Sequence, residues 1–121
     1  MAAFDPLEFS ALARSLASRS PSEAAYRTSV GRLYYSLHLL ARGRLRLTRR
    51  QLGSKPHIAV VGQVRRRDLA VGNQLDRLRK LRVEADYFLQ PSSPQFANWG
   101  ANYQTADLIA TRILPRIQRL K

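Results

Sequence analysis

Apolar residues recur at spacings of three and four positions along most of the chain, which is the period of a helix with one buried face. The longest such stripe consists of Tyr26, Val30, Leu33, Tyr34, Leu37, Ala41 and Leu45. Similar stripes lie within residues 68–89 and 101–120. No stretch alternates convincingly at the period of two that is typical of a strand. The pattern therefore predicts an all-α protein.

Start and stop signals divide this pattern into about five helices. The segments DPLE at 5–8 and SPSE at 20–23 each combine a capping residue, a proline and a glutamate, as helix N-termini do. Clear breaks fall at GSKP (53–56) and QPSSP (90–94). The first predicted helix runs from the first signal to about Leu16. The second runs from the second signal to about Leu45, with fraying after Gly43. The other three cover residues 57–67, 68–89 and 101–120. Pro115 is expected to bend or shorten the last turn.

Short breaks between helices of this length predict an up-and-down bundle. A chain of 121 residues corresponds to about one domain, so residues 1–121 are expected to form a single unit. The chain has no run approaching 18 apolar residues, and it opens without a basic region followed by an apolar stretch. We therefore expect no membrane span, no secretory signal and a cytoplasmic location.

The charge of the chain is strongly positive and unevenly distributed. Lys and Arg number 21 against 8 Asp and Glu, and no acidic residue occurs between Glu23 and Asp68. Nine cations, here called the basic segment, lie within residues 42–67: Arg42, Arg44, Arg46, Arg49, Arg50, Lys55, Arg65, Arg66 and Arg67. Guanidinium groups suit phosphate oxygens, so the segment is expected to bind RNA or another polyanion. The alternative is a solvated basic surface encoded by a GC-rich genome.

Few residues are suited to chemistry. Cysteine is absent, which excludes a disulfide framework, a thiolate metal site and a cysteine nucleophile. The eight acids show no ligand spacing near His38 or His57, so we expect neither a metal nor a cofactor. In residues 32–38 (RLYYSLH) a histidine stands beside tyrosines and an arginine. Histidine can transfer a proton near neutral pH, arginine can stabilise a phosphorane, and RNA supplies its own 2′-hydroxyl nucleophile.

Three segments resemble conserved helices of the HEPN-domain family. The sequence RLYYSLHLLA at 32–41 is similar to the family's R-x-Y-Y-A-x-F-H-x-A helix. SKPHIAV at 54–60 resembles its K-x-H-x-x-V segment, and LRVEADY at 81–87 resembles R-x-x-A-D-Y. The segments occur in family order, and with the intervening helices they span about residues 22–120.

The resemblance implies a small helical bundle that commonly forms a homodimer. Many HEPN domains are metal-independent endoribonucleases of toxin–antitoxin, phage-defence or CRISPR-associated systems and carry Arg-x(4–6)-His. Others are inactive RNA- or nucleotide-binding modules, or partners of minimal nucleotidyltransferases. Carried over to this chain, the motif selects Arg32 and His38 as catalytic candidates, with Tyr34, Tyr35 and His57 in support.

Helical geometry bears on this candidate pair. At about 100° per residue, Arg32 and His38 lie about 120° apart around one helix. They would converge on one phosphate only through a long arginine reach, a helix distortion or a second subunit. Arg42, four residues after His38, shares its face. The same spacing makes Arg82 and Asp86 an expected ion pair.

The sequence thus predicts an RNA-binding, HEPN-like homodimer. In its sharper form it is an endoribonuclease in which His38 is the general base or acid and Arg32 or Arg42 stabilises the phosphorane. One alternative is a non-catalytic RNA- or nucleotide-binding or accessory module, with a nucleotidyltransferase or antitoxin as partner. Another is an interaction protein whose charge serves an acidic protein partner.

Overall fold

The regular elements of the chain are helices throughout residues 4–121, the part that the computed structural model describes. The six α-helices are α1 (Leu7–Arg19), α2 (Glu23–Arg44), α3 (Arg49–Leu52), α4 (Pro56–Arg67), α5 (Leu69–Tyr87) and α6 (Trp99–Gln118). A 3₁₀ turn at Pro94–Phe96 lies between α5 and α6. The all-α prediction is confirmed. Pro115 lies within α6, which ends about one turn later.

The sixth helix is the short α3, which forms where only a frayed end was expected. Thr48 accepts the backbone N–H of Gln51 at 3.2 Å, and the Gln51 side chain accepts the backbone N–H of Thr48 at 2.9 Å. This reciprocal capping box satisfies two backbone donors and starts the helix. Gly53 ends it with a φ of 60°, a conformation that favours glycine.

Helix starts follow the polar residues of the sequence. Asp5 accepts the N–H of Leu7 at 3.0 Å at the start of α1, and Ser22 accepts the N–H of Ala25 at 3.1 Å at the start of α2. Asp68 and Asn98 cap α5 and α6 in the same way. Each cap satisfies a donor that the helix itself leaves unpaired.

The central helix is α2, which packs against α1, α5 and α6. It runs antiparallel to α5, because Arg27 near its start reaches the carbonyl oxygen of Phe88 at the end of α5. It runs parallel to α6, because Tyr26 stacks on Tyr103 while Arg44 reaches Leu120. The core is built from fully or nearly fully buried side chains on these helices: Val30, Leu33, Tyr34, Leu37, Leu75, Leu78, Ile113 and Ile117.

Helix α4 packs on α5 at very short range. An added Cβ at Gly72 would lie 2.8 Å from both the Cα and the N of Arg65. Asp68 is the single residue between the two helices, and it ends one and caps the other. This close crossing brings the start of α4 against α2. Among residues 4–121, no helix is both long and apolar enough to cross a bilayer.

Candidate functional site

Two tyrosines and two histidines meet where α2, α4 and α5 come together, and we call Tyr34, Tyr35, His38 and His57 the aromatic cluster. Tyr34 and His38 share a face of α2 because they stand four residues apart. Pro56 occupies the first position of α4, which puts His57 in its first turn. The imidazole centroids lie 4.5 Å apart, and the Tyr34 ring centroid is 5.5 Å from each.

The hydroxyl of Tyr34 connects the two imidazoles. Its oxygen lies 2.7 Å from Nδ1 of His57 and 3.3 Å from Nδ1 of His38. A phenol donates one proton and accepts at its lone pairs, so Tyr34 donates to one histidine and accepts from the other. When it donates to His38, the Nδ1–H of His57 points to Tyr34 and Nε2 of His57 carries a free lone pair.

Burial fixes the protonation of this chain of groups. Tyr34 is fully buried and His38 is 2% exposed, whereas His57 is partly exposed. Burial raises the pKa of Tyr34, so the phenol keeps its proton. Burial, followed by the charges of His57, Arg42 and Arg82, lowers the pKa of His38 to about 3. The pKa of His57 is lowered as well, first by burial and then by the charges of Arg82, Arg79 and Arg42. Both imidazoles are therefore neutral at pH 7.

Arg82 of α5 is held beside the cluster by three kinds of contact. It donates a hydrogen bond to the Tyr35 hydroxyl at 2.9 Å, and its Nε lies 2.9 Å from Oδ2 of Asp86. Its guanidinium carbon lies 5.1 Å from the Tyr35 ring centroid and 5.9 Å from that of Tyr34. The ion pair expected from the spacing of Arg82 and Asp86 is thus confirmed. The contacts fix a positive charge next to two neutral histidines.

Arg32 does not approach His38 within the chain. It is exposed on α2, and its guanidinium carbon lies 5.4 Å from the ring centroid of Phe9 in α1. His38 instead faces α4, where its ring packs on His57. The angular separation around α2 is the physical reason, because no helix distortion brings the two side chains to one side. Within one chain the two side chains therefore lie on different sides of α2, as their helical spacing predicts, and joint action on one phosphate stays a prediction that needs a second subunit.

The basic segment carries cations that have few acidic partners. Arg65 lies 3.4 Å from Asp76, and it is the one member of the segment that forms an ion pair within residues 4–121. Arg44 donates to the carbonyl oxygen of Leu120 at 2.8 Å, and Arg67 donates to that of Lys121 at 3.2 Å. The two ends of the segment therefore meet at the C-terminal end of α6. The exposed members are Arg44, Arg46, Arg49, Arg50, Lys55, Arg65, Arg66 and Arg67, while Arg42 is partly buried near His38.

Two further residues of the site escaped the sequence reasoning. Arg79 and Arg82 stand three apart on α5, and both lie close enough to lower the pKa of His57. Their spacing indicates a shared face, but it does not say which helix that face meets. Asp76 anchors Arg79 at 2.8 Å. In the part of the chain that the structure describes, no three histidine, aspartate or glutamate side chains group as metal ligands.

Comparison of the chain with known proteins gives no match to a family model, to a curated protein or to a solved structure. The likeness to HEPN domains stays a hypothesis drawn from the three segments. Function is therefore inferred from the geometry and charge of the site.

Proposed function

We propose that this chain is an RNA-binding protein and that its basic segment contacts the phosphates. The observation that carries the proposal is the set of exposed arginines without carboxylate partners in residues 4–121. An arginine with no acidic neighbour keeps its donors available, and planar guanidinium forks match phosphate oxygens. Arg44 and Arg67 both reach the C-terminal end of α6, which brings arginines from the two ends of the segment close together.

Single substitutions of matched arginines test the binding proposal. Arg50→Gln and Arg66→Gln each remove one exposed charge from the segment, whereas Arg19→Gln removes one at the end of α1, far from it. For a single strand, loss of one phosphate contact should weaken binding about fivefold at 0.1 M salt. The measurement is the fluorescence anisotropy of a labelled RNA. Equal affinity of the three variants and the wild type would overturn the assignment of the surface.

The aromatic cluster supports a second candidate function, cleavage of the bound RNA without a metal. In such a reaction the 2′-oxygen attacks the adjacent phosphorus while a base takes its proton. The P–O5′ bond breaks, the 5′-oxygen takes a proton from water, and a 2′,3′-cyclic phosphate remains. His57 is the better base, because it is partly exposed while His38 is nearly fully buried. Its lowered pKa keeps the imidazole neutral and able to accept a proton at pH 7. Arg82 and Arg42 would stabilise the phosphorane.

In this arrangement His38 and Tyr34 are positioning residues. When the O–H of Tyr34 donates to His38, the Tyr34 oxygen accepts the Nδ1–H of His57, and the lone pair of His57 lies on Nε2. Tyr34→Phe would remove that constraint on the tautomer. We expect Tyr34→Phe to shift the acid limb of the pH–rate profile. His57→Ala should abolish the activity, so that no acid limb can be measured.

Cleavage of labelled single-stranded and structured RNA in EDTA tests this second function. We expect the wild type and Arg19→Gln to cut, and His57→Ala to lose on the order of 100-fold or more. His38→Ala should lose less, because that ring does not reach solvent. If the wild type does not cut, the chain is a non-catalytic RNA- or nucleotide-binding module. If His57→Ala cuts as well as the wild type, the assignment of His57 as the base is wrong.

The remaining expectations from the HEPN resemblance are also proposals. They include a homodimer, a toxin or defence role, and an antitoxin or nucleotidyltransferase partner. Light scattering of the purified chain would establish its oligomeric state. A monomer would exclude that Arg32 of one copy completes the cluster of another.

A further inference from the structure

A row of clefts, here called the groove, lies along α5 and α6 on a face that the basic segment touches only at Arg67. Three adjoining clefts form it. Arg77 and Thr105 line both the first and the second cleft, and Arg116 lines both the second and the third. The middle cleft has a volume of about 370 Å³. From Asn102 to Arg119 the groove follows α6 for about 26 Å at the helical rise.

The walls of the groove are strongly basic. Its cations are Arg67, Arg77, Lys80, Arg112, Arg116, Arg119 and Lys121. Two of these cations have carboxylate partners: Arg116 lies 2.8 Å from Asp68, and Lys80 lies 3.3 Å from Asp76. Arg77 and Arg112 form no ion pair with any residue in the range 4–121, and both are exposed. The groove therefore has a surplus of positive charge along its whole length.

The floor of the groove is apolar and carries carboxamides. Ile109 and Ile113 lie beneath the arginines, and Leu108 on the rim is 50% exposed. Phe96 lines the end near Lys80, and the exposed carboxamides of Gln74 and Gln95 also line the groove. Proteins that bind single-stranded nucleic acid combine a cationic track for phosphates with apolar or aromatic side chains on which bases stack. Carboxamides can pair with base edges.

Charge decides between the occupants of such a groove. A second copy of this chain would set its own arginines against these arginines, and like charges in contact are unfavourable. An isolated phosphate would use one or two cations and none of the floor. A polynucleotide strand uses both features over the full length. At about 3.4 Å per nucleotide, the rise of a stacked strand in a duplex, 26 Å accommodates about seven phosphates.

We infer that the groove between α5 and α6 holds a single-stranded polynucleotide, with its phosphates on Arg77, Arg112 and Arg116 and its bases on the apolar floor. The inference rests on the proposed RNA binding and extends it to a second face. Arg67 belongs to both the groove and the basic segment, so one strand can pass from one to the other.

The test compares charge-matched single variants. Arg112→Gln removes one groove cation, and Arg19→Gln removes one exposed cation of α1; neither arginine forms an ion pair within residues 4–121. Loss of one phosphate contact should weaken single-stranded RNA binding about fivefold at 0.1 M salt and reduce the salt slope by about 0.7. The α1 control should bind like the wild type. Coincident thermal unfolding curves establish that all three proteins are folded.

Further binding measurements identify the ligand of the groove. Affinity should rise with strand length and level off near eight nucleotides, and a DNA strand of the same sequence shows whether the 2′-hydroxyl contributes. If the wild type binds RNA but the groove variant binds equally well, this inference is wrong and the proposed function stands. If the wild type binds no RNA, the proposed function fails with it. Equal competition by polyglutamate would assign the groove to an acidic protein and overturn the inference.

Discussion

Tyr34 shares one hydroxyl between the two histidines of the chain, at 2.7 Å from His57 and 3.3 Å from His38. Tyr34→Phe removes this hydroxyl and leaves nitrogen atoms of both imidazoles without their partner. Because one of those rings is nearly fully buried, we expect a loss of about 1–3 kcal/mol in the free energy of unfolding. Denaturant titration measures this loss. Tyr26→Phe is the control, since Tyr26 stacks on Tyr103 at the bundle rim. Equal losses in both variants would contradict the bridging role.

His38 makes stability depend on pH, because its pKa is about 3 in the folded protein and near 6.5 in the unfolded chain. Folding favours its neutral form, so the full contribution is present above pH 6.5. As the pH falls below that, the unfolded chain takes up the proton first and stability decreases. Between pH 6.5 and 4.5 the loss from this group is roughly 2–3 kcal/mol. The charged and titratable groups that act on His38 are His57, Arg42 and Arg82.

Unfolding free energies of the wild type and His38→Gln over this pH range test that prediction. The slope of the unfolding free energy against pH should be smaller in the variant by up to about 1.4 kcal/mol per pH unit, which corresponds to one proton. The pKa of His57 is also lowered, so His57 makes the stability of both proteins fall as the pH decreases. The difference between the two slopes therefore reports on His38. Parallel slopes would show that His38 is solvated and protonates freely.

The sequence was sufficient to select four of the side chains at this site but not their arrangement. Tyr34, Tyr35 and His38 follow from one short motif, and helical spacing relates them within α2. Which histidine touches solvent depends on how α4 packs, and nothing in the local pattern specifies it. For the same reason Arg82 was recognised as an ion-pair partner of Asp86 but not as the cation beside the cluster.

At the scale of elements, the α4–α5 contact depends on one missing side chain. Gly72→Ala would place a methyl group 2.8 Å from backbone atoms of Arg65, so α4 must shift. We expect a loss of about 1–3 kcal/mol. Gly62→Ala is the matched control, because its added methyl meets nothing within 4 Å. That change should be neutral or stabilise by up to about 1 kcal/mol. Comparable effects of the two substitutions in thermal unfolding would show that the helices do not cross this closely.

Arg27 joins the start of α2 to the end of α5. It donates to the carbonyl oxygens of Ala85 and Phe88, at 3.2 Å and 2.6 Å, and its guanidinium carbon lies 4.6 Å from the centroid of the Trp99 ring. Arg27→Met keeps the aliphatic stem but leaves these helix-end carbonyls unpaired. We expect about 1.5–3 kcal/mol of destabilisation, the range for hydrogen bonds from a charged donor. Arg19→Met, a change at an exposed helix end, should cost under 0.5 kcal/mol. A similar small cost for both would refute the helix-joining role.

The predicted helices agree with the structure to within three residues at their ends, except that α3 is additional. The strong signals were the capping segments and the breaks, which act locally and can be identified without the fold. The capping box of Thr48 and Gln51 is equally local and could have been found. The groove between α5 and α6 could not, because its arginines come from two helices whose pairing is set by the whole bundle.

The whole molecule carries a formal charge of +13, and 15 of its 21 cations belong to the basic segment or to the groove. The basic segment supplies one face, and the α5–α6 groove supplies the other. Arg67 is common to both. The aromatic cluster lies where α2, α4 and α5 meet, with Arg42 linking it to the segment. The proposed polymer would therefore contact a cationic path that passes the candidate cleavage centre.

The affinity of the wild-type chain for a single-stranded RNA of about ten nucleotides, measured as a function of salt concentration, is the most direct test of this view. Binding to six or more phosphates predicts that log K falls against log salt with a slope of about −4 or steeper. A chain that retains no RNA at 50 mM salt, or that binds with a slope near zero, would contradict it.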